Sequence, residues 1–540
     1  VPREDLAKET FCVVLVTPSF ASWLVDDDYF LAKAVRQAYS KAFKTSRRWT
    51  VHTLCAVVDK LPAGRSFEVG QTPDDVARQR AVKPPVGDSG FEGFAFVTLP
   101  AHASIPSTSP RSIEKGAIDF VISGKTALNQ RFSDTWRVPL ANTVFHTGQP
   151  TTMFLSRWNL DGALGLLKLE NRIEVSHSGI NTTVSNSSLG RPLSSLSIPL
   201  LPLTLPRKVD GCMGNIIRRL VGKNDETFTA SSELEKVVPQ FYKARGEHAQ
   251  PTTAWALVIP RSLTKSITAK TMALLAKKLA RKEKGQEMHD QLWERLWKSD
   301  PSVYNALVAT ALAEGARLHR VLSGGGGWGK KAGLLSLDPV PVSEEIPIRM
   351  EDATSSFDGP GSFENALTPV VQEGDAIQFF ISPASNNVIE HNELAKLKAL
   401  PKERAWGWEL GTIPSTVDSI PGGSWQHVGT ESDYLTVFRH SFGALAEGGM
   451  TLTRRLHAAA DVSTTLATSM VDVPYSRLWT TALEDAALPE VLTTEFEEDQ
   501  AAQENFFTDT EDKQASPGNS TVIMEDEQAQ PENVGEHAKR

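Results

Sequence analysis

The chain has 540 residues, of which 40% are hydrophobic and 22% charged, and these values are typical of a globular protein with a sizeable core. Its net charge is −9, but the segment from Glu490 onward holds 14 acidic and 3 basic residues, which leaves +2 for the residues before it. The nearly neutral body argues against a dedicated nucleic-acid-binding protein. Three cysteines without CxxC or zinc spacing argue against a disulfide-stapled secreted protein.

The first 208 residues predict an α/β and mixed-sheet lobe. Apolar runs at 11–18 and 49–59 are typical of buried strands, and the residues from Phe30 to Phe43 repeat apolar side chains at helical spacing. A strand, helix and strand of this length predict a parallel βαβ unit. Further strand-like segments follow, and Gly148-Gln149-Pro150 predicts a hairpin turn; the segments are 91–100, 116–124, 143–155 and 172–184.

Residues 209–337 predict a mainly helical section that ends in a glycine-rich loop. One strand is expected at 252–260, and helices are expected at 214–221, 232–245, 262–284, 288–298 and 302–322. No run is long and apolar enough for a transmembrane segment, because the best candidate, 192–206, has only 15 residues and contains four prolines.

The rest of the chain divides into three predicted parts. Residues 338–373 are rich in Pro, Glu, Asp and Ser and predict a linker or insertion. Residues 374–485 predict a lobe with strands at 375–383, 434–442 and 450–457, and the acidic residues 486–540 predict a disordered tail. The fold class expected for the whole is α/β or α+β.

The most unusual segment is SGGGGWGKK at 323–331. Its GxxxxGK pattern matches a phosphate-binding P-loop, but Lys331 replaces the required Ser or Thr, and a strand–loop–helix context is not predicted. Consecutive glycines nevertheless let backbone N–H groups converge on an anion. The candidate ligand-binding residues are Gly324, Gly325, Gly326, Gly327, Trp328, Gly329, Lys330 and Lys331. The structural alternative is a close backbone crossing that only glycine permits.

A second glycine motif lies at Gly211 and Gly214, before the expected helix 214–221. It has the GxxG spacing of a KH domain, but the residues between the glycines are not basic, and extended chain precedes it. The start of this helix is a candidate anion site, with Gly211, Gly214, Asn215 and Arg218 as its candidate ligand-binding residues. The alternative is a packed strand-to-helix turn.

The expected helix at 262–284 is rich in basic side chains. It predicts contact with RNA, an anionic lipid surface or an acidic protein, or else a solvated helix face. Its candidate contact residues are Lys265, Lys270, Lys277, Lys278, Arg281 and Lys282.

The sequence contains no strong catalytic or metal-binding motif. The patterns HExxH and GxSxG do not occur, so no metal ligands are assigned, and the cofactor and any catalytic residues are unknown. His146, His177 and Asp418 lie in turn-like segments and are candidates for a Ser–His–Asp arrangement, against the alternative of ordinary polar residues.

Several long segments carry a family resemblance: VTPSFASWL, PLANTVFHTG, PLTLPRKVDGCMGNIIRRL, SELEKVVPQFYKAR, SGGGGWGKKAGLLSLDP and GTIPSTVDSIPGG. In these segments the chain resembles a family of uncharacterised proteins from filamentous ascomycete fungi. The resemblance implies no activity, but it implies a nucleus-encoded protein imported into the mitochondrial matrix, with the cytoplasm as the alternative. The Val1 start is compatible with removal of a presequence.

Two functions are therefore expected. The first is a soluble protein whose glycine-rich loop contacts a phosphate or carboxylate group, with any reaction left open. The second is a non-enzymatic mitochondrial accessory factor that binds RNA or protein through the basic helix.

Overall fold

The computed structural model describes residues 9–25, 28–39, 48–62, 90–105, 116–125, 130–161, 166–182, 194–222, 225–248, 252–276, 287–298, 305–324, 333–339, 370–382, 405–415, 441–459 and 462–483. All of them belong to one compact unit, Val1–Asp485. The predicted linker at 338–373, the strand at 434–442 and the acidic tail lie largely or wholly outside the described residues.

The described helices are α1 Ala21–Val25, α2 Asp28–Ala38, α3 Ala101–Ser104, α4 Val144–Thr147, α5 Ala230–Arg245, α6 Thr264–Ala276, α7 Glu287–Trp297 and α8 Asn305–Glu314. The described strands are β1 Glu9–Val16, β2 Arg48–Val57, β3 Phe94–Pro100, β4 Ala117–Lys125, β5 Arg131–Pro139, β6 Met153–Asp161, β7 Leu166–Glu174, β8 His177–Asn181, β9 Ser194–Ser197, β10 Leu201–Pro202, β11 Arg207–Met213, β12 Ile216–Val221, β13 Thr227–Thr229, β14 Ala254–Ile259, β15 Arg317–Gly324, β16 Leu335–Leu337, β17 Ala376–Ile381, β18 Ala405–Thr412, β19 Ser441–Ala446, β20 Met450–Ala459, β21 Val462–Val471 and β22 Arg477–Leu483.

The first sheet has the strand order β3-β1-β2-β6-β7. Strands β1 and β2 are parallel, and helices α1 and α2 lie between them in the sequence, so the predicted parallel βαβ unit is confirmed. Alternate residues of β1 face two cores. Cys12 and Val14 pack with Leu31 and Val35 of α2, whereas Val13 belongs to the main core.

A second sheet closes on itself. Six antiparallel strands pair in the ring β14-β17-β11-β12-β16-β15 and back to β14, with β10 added to β17 and β13 added to β12. One face of β14, with Ala256 and Val258, belongs to the core that α5 and α7 complete. The other face, with Trp255 and Leu257, belongs to the main core. A strand that is buried on both faces has a continuous run of apolar residues in its sequence. For this reason β14 could be predicted as a strand.

Two further sheets complete the described fold. Their strand orders are β19-β18-β22-β9 and β21-β20-β5-β4-β8. Both mix parallel and antiparallel pairs, since β18 and β19 are parallel and so are β4 and β8. The molecule is therefore a mixed α/β protein with several mixed sheets, and part of the predicted fold class is confirmed.

The prediction of a mainly helical section at 209–337 is not confirmed, because β11 to β16 alternate there with α5 to α8. The helix expected at 302–322 ends at Glu314, and residues 317–324 form β15. Gly315 has φ of 108°, and the N–H groups of Gly315 and Ala316 donate to the carbonyls of Leu312 and Ala311. This is a Schellman ending, in which glycine stops the helix.

The prediction of a helix at 214–221 is also wrong, because these residues form the turn and strand β12 of an antiparallel hairpin with β11. Likewise, Gly148-Gln149-Pro150 does not join two paired strands. It follows the helical turn α4, and Gly148 has φ of 77° at the end of that turn. By contrast, the helices expected at 232–245 and 288–298 correspond to α5 and α7, and the strand expected at 252–260 corresponds to β14.

Candidate anion-binding site

The glycine-rich segment connects two paired strands. Strand β15 ends at Gly324, β16 begins at Leu335, and these two residues are partners in the antiparallel ladder. Residues 325–332, which include Trp328, Lys330 and Lys331, lie outside the described residues. A P-loop joins a strand to a helix, whereas here the segment joins a strand to a strand, so the P-loop interpretation does not apply.

Both ends of this segment lie against the start of helix α5. A Cβ atom placed on Gly333, which has φ of 79°, would lie 2.5 Å from Cβ of Thr229. A Cβ atom on Gly324 would lie 3.0 Å from Cδ1 of Leu335 and 3.6 Å from Cβ of Ser231. The carbonyl of Gly333 accepts a hydrogen bond from the Ser231 N–H at 3.3 Å. The two glycines thus allow the hairpin backbone to approach the first turn of the helix closely.

The start of α5 is the helix end that lies against the glycine hairpin. The helix has 16 residues, and the side chain of its N-cap residue, Thr229, makes no capping hydrogen bond. The first N–H groups of an α-helix have no partner within the helix, and the aligned peptide dipoles place about half a positive charge there. In α5 the Ser231 N–H already donates to the Gly333 carbonyl, so the other N–H groups of this turn remain for an anion. The hydroxyl of Ser232 donates to the Thr229 carbonyl at 2.7 Å, so its hydrogen is already used and any donors to an anion here are backbone N–H groups.

An ion pair lies beside this turn. Nε of Arg207 donates to Oε1 of Glu233 at 2.8 Å, and their side chains are 20% and 9% exposed. Oε2 of Glu233 is buried and has no hydrogen-bond partner in the part of the chain that the structure describes. Burial raises the pKa of Glu233, and the Arg207 guanidinium only partly opposes this. Protonation of Glu233 would remove one of two nearby charges that repel an anion, the other being Glu235, whose Oε1 accepts from the Ser231 hydroxyl at 3.0 Å.

The second glycine motif is a hairpin turn and not a helix start. Gly214 and Asn215 join β11 to β12, and Gly214 has φ of 60°, which the first turn position of a type II′ hairpin requires. Nδ2 of Asn215 donates to the Leu337 carbonyl at 2.7 Å, and the Leu337 N–H donates to the Asn215 carbonyl at 2.9 Å. Gly211 lies at an irregularity within β11, and Arg218 is exposed on β12.

The two glycine motifs do not form a single site. The glycine-rich segment enters β16 at Leu335, whereas Asn215 contacts the opposite end of that strand, at Leu337. Because no helix begins at Gly214, the anion site expected from Gly211, Gly214, Asn215 and Arg218 loses its physical basis.

The first part of the expected basic helix is described as α6, Thr264–Ala276, and its remaining residues, 277–284, lie outside the described residues. Lys265 is exposed, but Nζ of Lys270 makes an ion pair with Oε1 of Glu314 at 2.7 Å. Lys277, Lys278, Arg281 and Lys282 lie outside the described residues.

Of the two catalytic candidates that the structure describes, His146 and His177, the second lies in a polar cluster. Its Nε2 contacts Oδ2 of Asp119 at 2.8 Å, and Arg137 binds the same carboxylate through Nε and Nη2. Nδ1 of His177 is buried and has no partner among the described atoms, so this cluster contains no hydroxyl aligned for nucleophilic attack. His146 is exposed on α4, and Asp418 is outside the described residues.

The sequence reasoning missed Arg207, Glu233 and Thr229. The sequence did contain a signal for the cap, because Thr229 directly precedes the helix. No local signal joins Arg207 to Glu233, since 26 residues separate them and only the pairing of β11, β12 and β13 brings them together.

Comparison with protein-family models, with curated protein sequences and with solved structures yields no match. Within the described residues, no group of three or more His, Cys, Asp and Glu side chains is placed to hold a metal ion. No described helix is both long enough and apolar enough to cross a membrane.

Proposed function

We propose that this protein binds an anionic ligand, with a phosphate or carboxylate group, between the glycine-rich hairpin and the first turn of α5. The observation that carries the proposal is the close approach of Gly324 and Gly333 to Thr229 and Ser231. It puts both ends of a segment with six glycines and two lysines, 324–333, at the positive end of a long helix.

The electrostatics of the described residues support the proposal. Unpaired helix N–H groups bind anions without a dedicated cationic side chain. Lys330 and Lys331, as part of the segment, would add positive charge to the same anion. Because burial raises the pKa of Glu233, anion binding should strengthen as the pH falls toward that pKa.

The alternative function is binding of RNA or an acidic protein through the basic segment that includes Lys265, Lys277, Lys278, Arg281 and Lys282. The ion pair between Lys270 and Glu314 removes one of its cations from that role. The fungal resemblance keeps the mitochondrial matrix as the proposed compartment, with the cytoplasm as the alternative.

A thermal-shift screen tests the proposal. The panel contains inorganic pyrophosphate, nucleotides, coenzyme A, phosphosugars, dicarboxylates and a short RNA. A ligand at about 100 times its Kd stabilises the folded state by roughly 2.7 kcal/mol, which gives a measurable shift. We expect at least one phosphate or carboxylate compound to stabilise the wild type.

The double variant Lys330→Ala/Lys331→Ala should lose this shift. The matched control is Lys265→Ala, which removes an exposed lysine from α6, away from the hairpin. A shift that survives in the double variant contradicts the proposed site. A shift with RNA alone that falls steeply with salt and is reduced in Lys265→Ala favours the alternative function.

A further inference from the structure

Strand β3 forms an edge of the first sheet. Within the described chain it pairs only with β1, in the antiparallel register Val16 with Phe94 through Thr10 with Pro100. The register continues to Thr17 and Gly93, where the Thr17 N–H donates to the Gly93 carbonyl at 3.0 Å. This residue pair is therefore of the hydrogen-bonded type.

The alternation of antiparallel pairs then fixes the direction of every backbone group in β3. Hydrogen-bonded pairs recur at every second residue, so Ala95 and Val97 direct their N–H and C=O groups to β1. Phe94, Phe96 and Thr98 direct theirs away from β1, to the edge where no described strand pairs with β3. No hydrogen bond joins these three residues to any partner other than β1 in the described chain.

The side chains at this edge are apolar and exposed. Phe94 is 45% exposed and Phe96 is 52% exposed, both on the sheet face that carries α1 and α2. Phe94 extends a series of edge-to-face aromatic contacts with Phe30 and then Trp23, at centroid distances of 6.1 and 5.0 Å. Trp23 is itself 44% exposed. An unpaired strand edge beside an exposed aromatic surface is a template for strand addition.

We propose that β3 pairs with β3 of a second copy of this chain, antiparallel, about a two-fold axis at Phe96. In this register Phe94 faces Thr98 of the second copy, Phe96 faces Phe96, and Thr98 faces Phe94. All three pairs align outward N–H groups with outward carbonyls, which gives about six hydrogen bonds at two per pair.

Two features of the sequence favour self-pairing in this register. Residues 94–100 carry no charge, so the two strands bring no like charges together. A two-fold axis at Thr98 would instead require a donor from Pro100, which has none. A two-fold axis at Phe94 would pair Phe96 with Glu92, whose carboxylate already pairs with Lys60. The register at Phe96 places Pro100 opposite Glu92 of the second copy, beyond the three pairs that form the ladder.

Sedimentation of the full chain across a concentration series tests the proposal. We expect the wild type to form a dimer as its concentration rises and Phe96→Lys to remain a monomer over the same range. The matched control is Phe145→Lys, which replaces a phenylalanine that is 96% exposed on α4 rather than on β3, and should dimerise like the wild type. A wild type that stays monomeric, even if it binds lipid vesicles through Phe96, overturns the proposal.

A cysteine pair tests the register. Directly opposed Cα atoms of a hydrogen-bonded pair are about 5.5 Å apart, within the range of a disulfide. Oxidised Phe96→Cys should therefore form a covalent dimer, measured against the wild type with its three native cysteines. Thr98→Cys should not, because its symmetry mate is displaced by four residues, or roughly 13 Å. Cross-linking of Thr98→Cys instead of Phe96→Cys, or a dimer that Phe96→Lys does not weaken, also contradicts the proposal.

Discussion

Asp119 carries a buried charge between strands β4, β5 and β8. Burial alone would raise the pKa of its carboxyl, but the hydrogen bonds from His177 and Arg137 and the charge of Arg137 outweigh burial and lower that pKa below 3.8. The folded-state pKa thus lies below the value of about 3.9 in an unfolded chain. The resulting stabilisation is complete above the unfolded pKa and is lost as the pH falls through the folded pKa.

We predict that Asp119→Asn lowers the free energy of unfolding by about 2 to 3 kcal/mol at neutral pH, because Arg137 would lose a two-point carboxylate partner. The deficit should shrink as the pH falls below about 4, where the unfolded chain begins to bind the proton, and it should vanish below the lowered folded-state pKa, where the folded wild type also loses the charge. Urea unfolding of the wild type and the variant at several pH values measures the difference in the free energy of unfolding.

The control is Asp210→Asn, which removes the exposed partner of Arg219, with side chains 38% and 60% exposed. It should change stability by less than about 1 kcal/mol at any pH. Equal effects of the two substitutions would show that the Asp119 cluster contributes no more than a surface ion pair.

At the scale of elements, the packing of the glycine hairpin on helix α5 is the feature that the proposed function requires. We predict that Gly333→Ala lowers the free energy of unfolding by at least about 2 kcal/mol, through a left-handed φ and a contact with Thr229. The control is Gly246→Ala, where φ is 69° and no atom lies within 4 Å of the added Cβ. It should cost only the backbone strain, about 1 to 2 kcal/mol.

Equilibrium unfolding of the two alanine variants measures the difference between them, which isolates the packing contact. If both variants lower the free energy of unfolding by the same amount, then Gly333 does not pack closely against the N-cap residue of α5. The proposed site would then lose its main support.

Elements with strong periodicity or composition were predictable from the sequence. Helices α5 and α7 keep one apolar face, and β14 is apolar throughout. The helix predictions at 214–221 and 302–322 were wrong because each segment contains a glycine that marks a turn or a helix end. Gly214-Asn215 is a two-residue hairpin turn, and Gly315 is a helix stop. Ile216, Ile217 and Val221 are β-branched, which favours the strand that forms there.

Other strands were missed because their polar residues find partners only in the folded chain. Strand β5, RFSDTWRVP, carries three charged residues, and Asp134 is neutralised by Arg454 of β20 at 2.5 Å. These two residues are direct cross-strand neighbours although 320 positions separate them. The sequence of β5 by itself gives no reason to expect that the Asp134 carboxylate is buried. The pairing of β5 with β20 could therefore not be predicted from the local pattern.

At the scale of the whole molecule, sheets combine segments from distant parts of the sequence. Strand β9 pairs with β22, and β17 pairs with both β11 and β14. The same long-range pairing assembles the candidate site, because β13 precedes α5 while β15 and β16 carry the glycine segment. The glycine segment could be identified from the sequence. That the start of α5 lies beside it could not, because the ring of six strands brings the two together.

Hydrogen exchange of backbone amides, with and without saturating inorganic pyrophosphate, tests the proposed anion site most directly. We predict slower exchange in two places, the first turn of α5 at 230–233 and the hairpin at 323–334, and no such protection in Lys330→Ala/Lys331→Ala. Protection confined to other segments, or unchanged exchange in both places when any anion of the panel is bound, would contradict it.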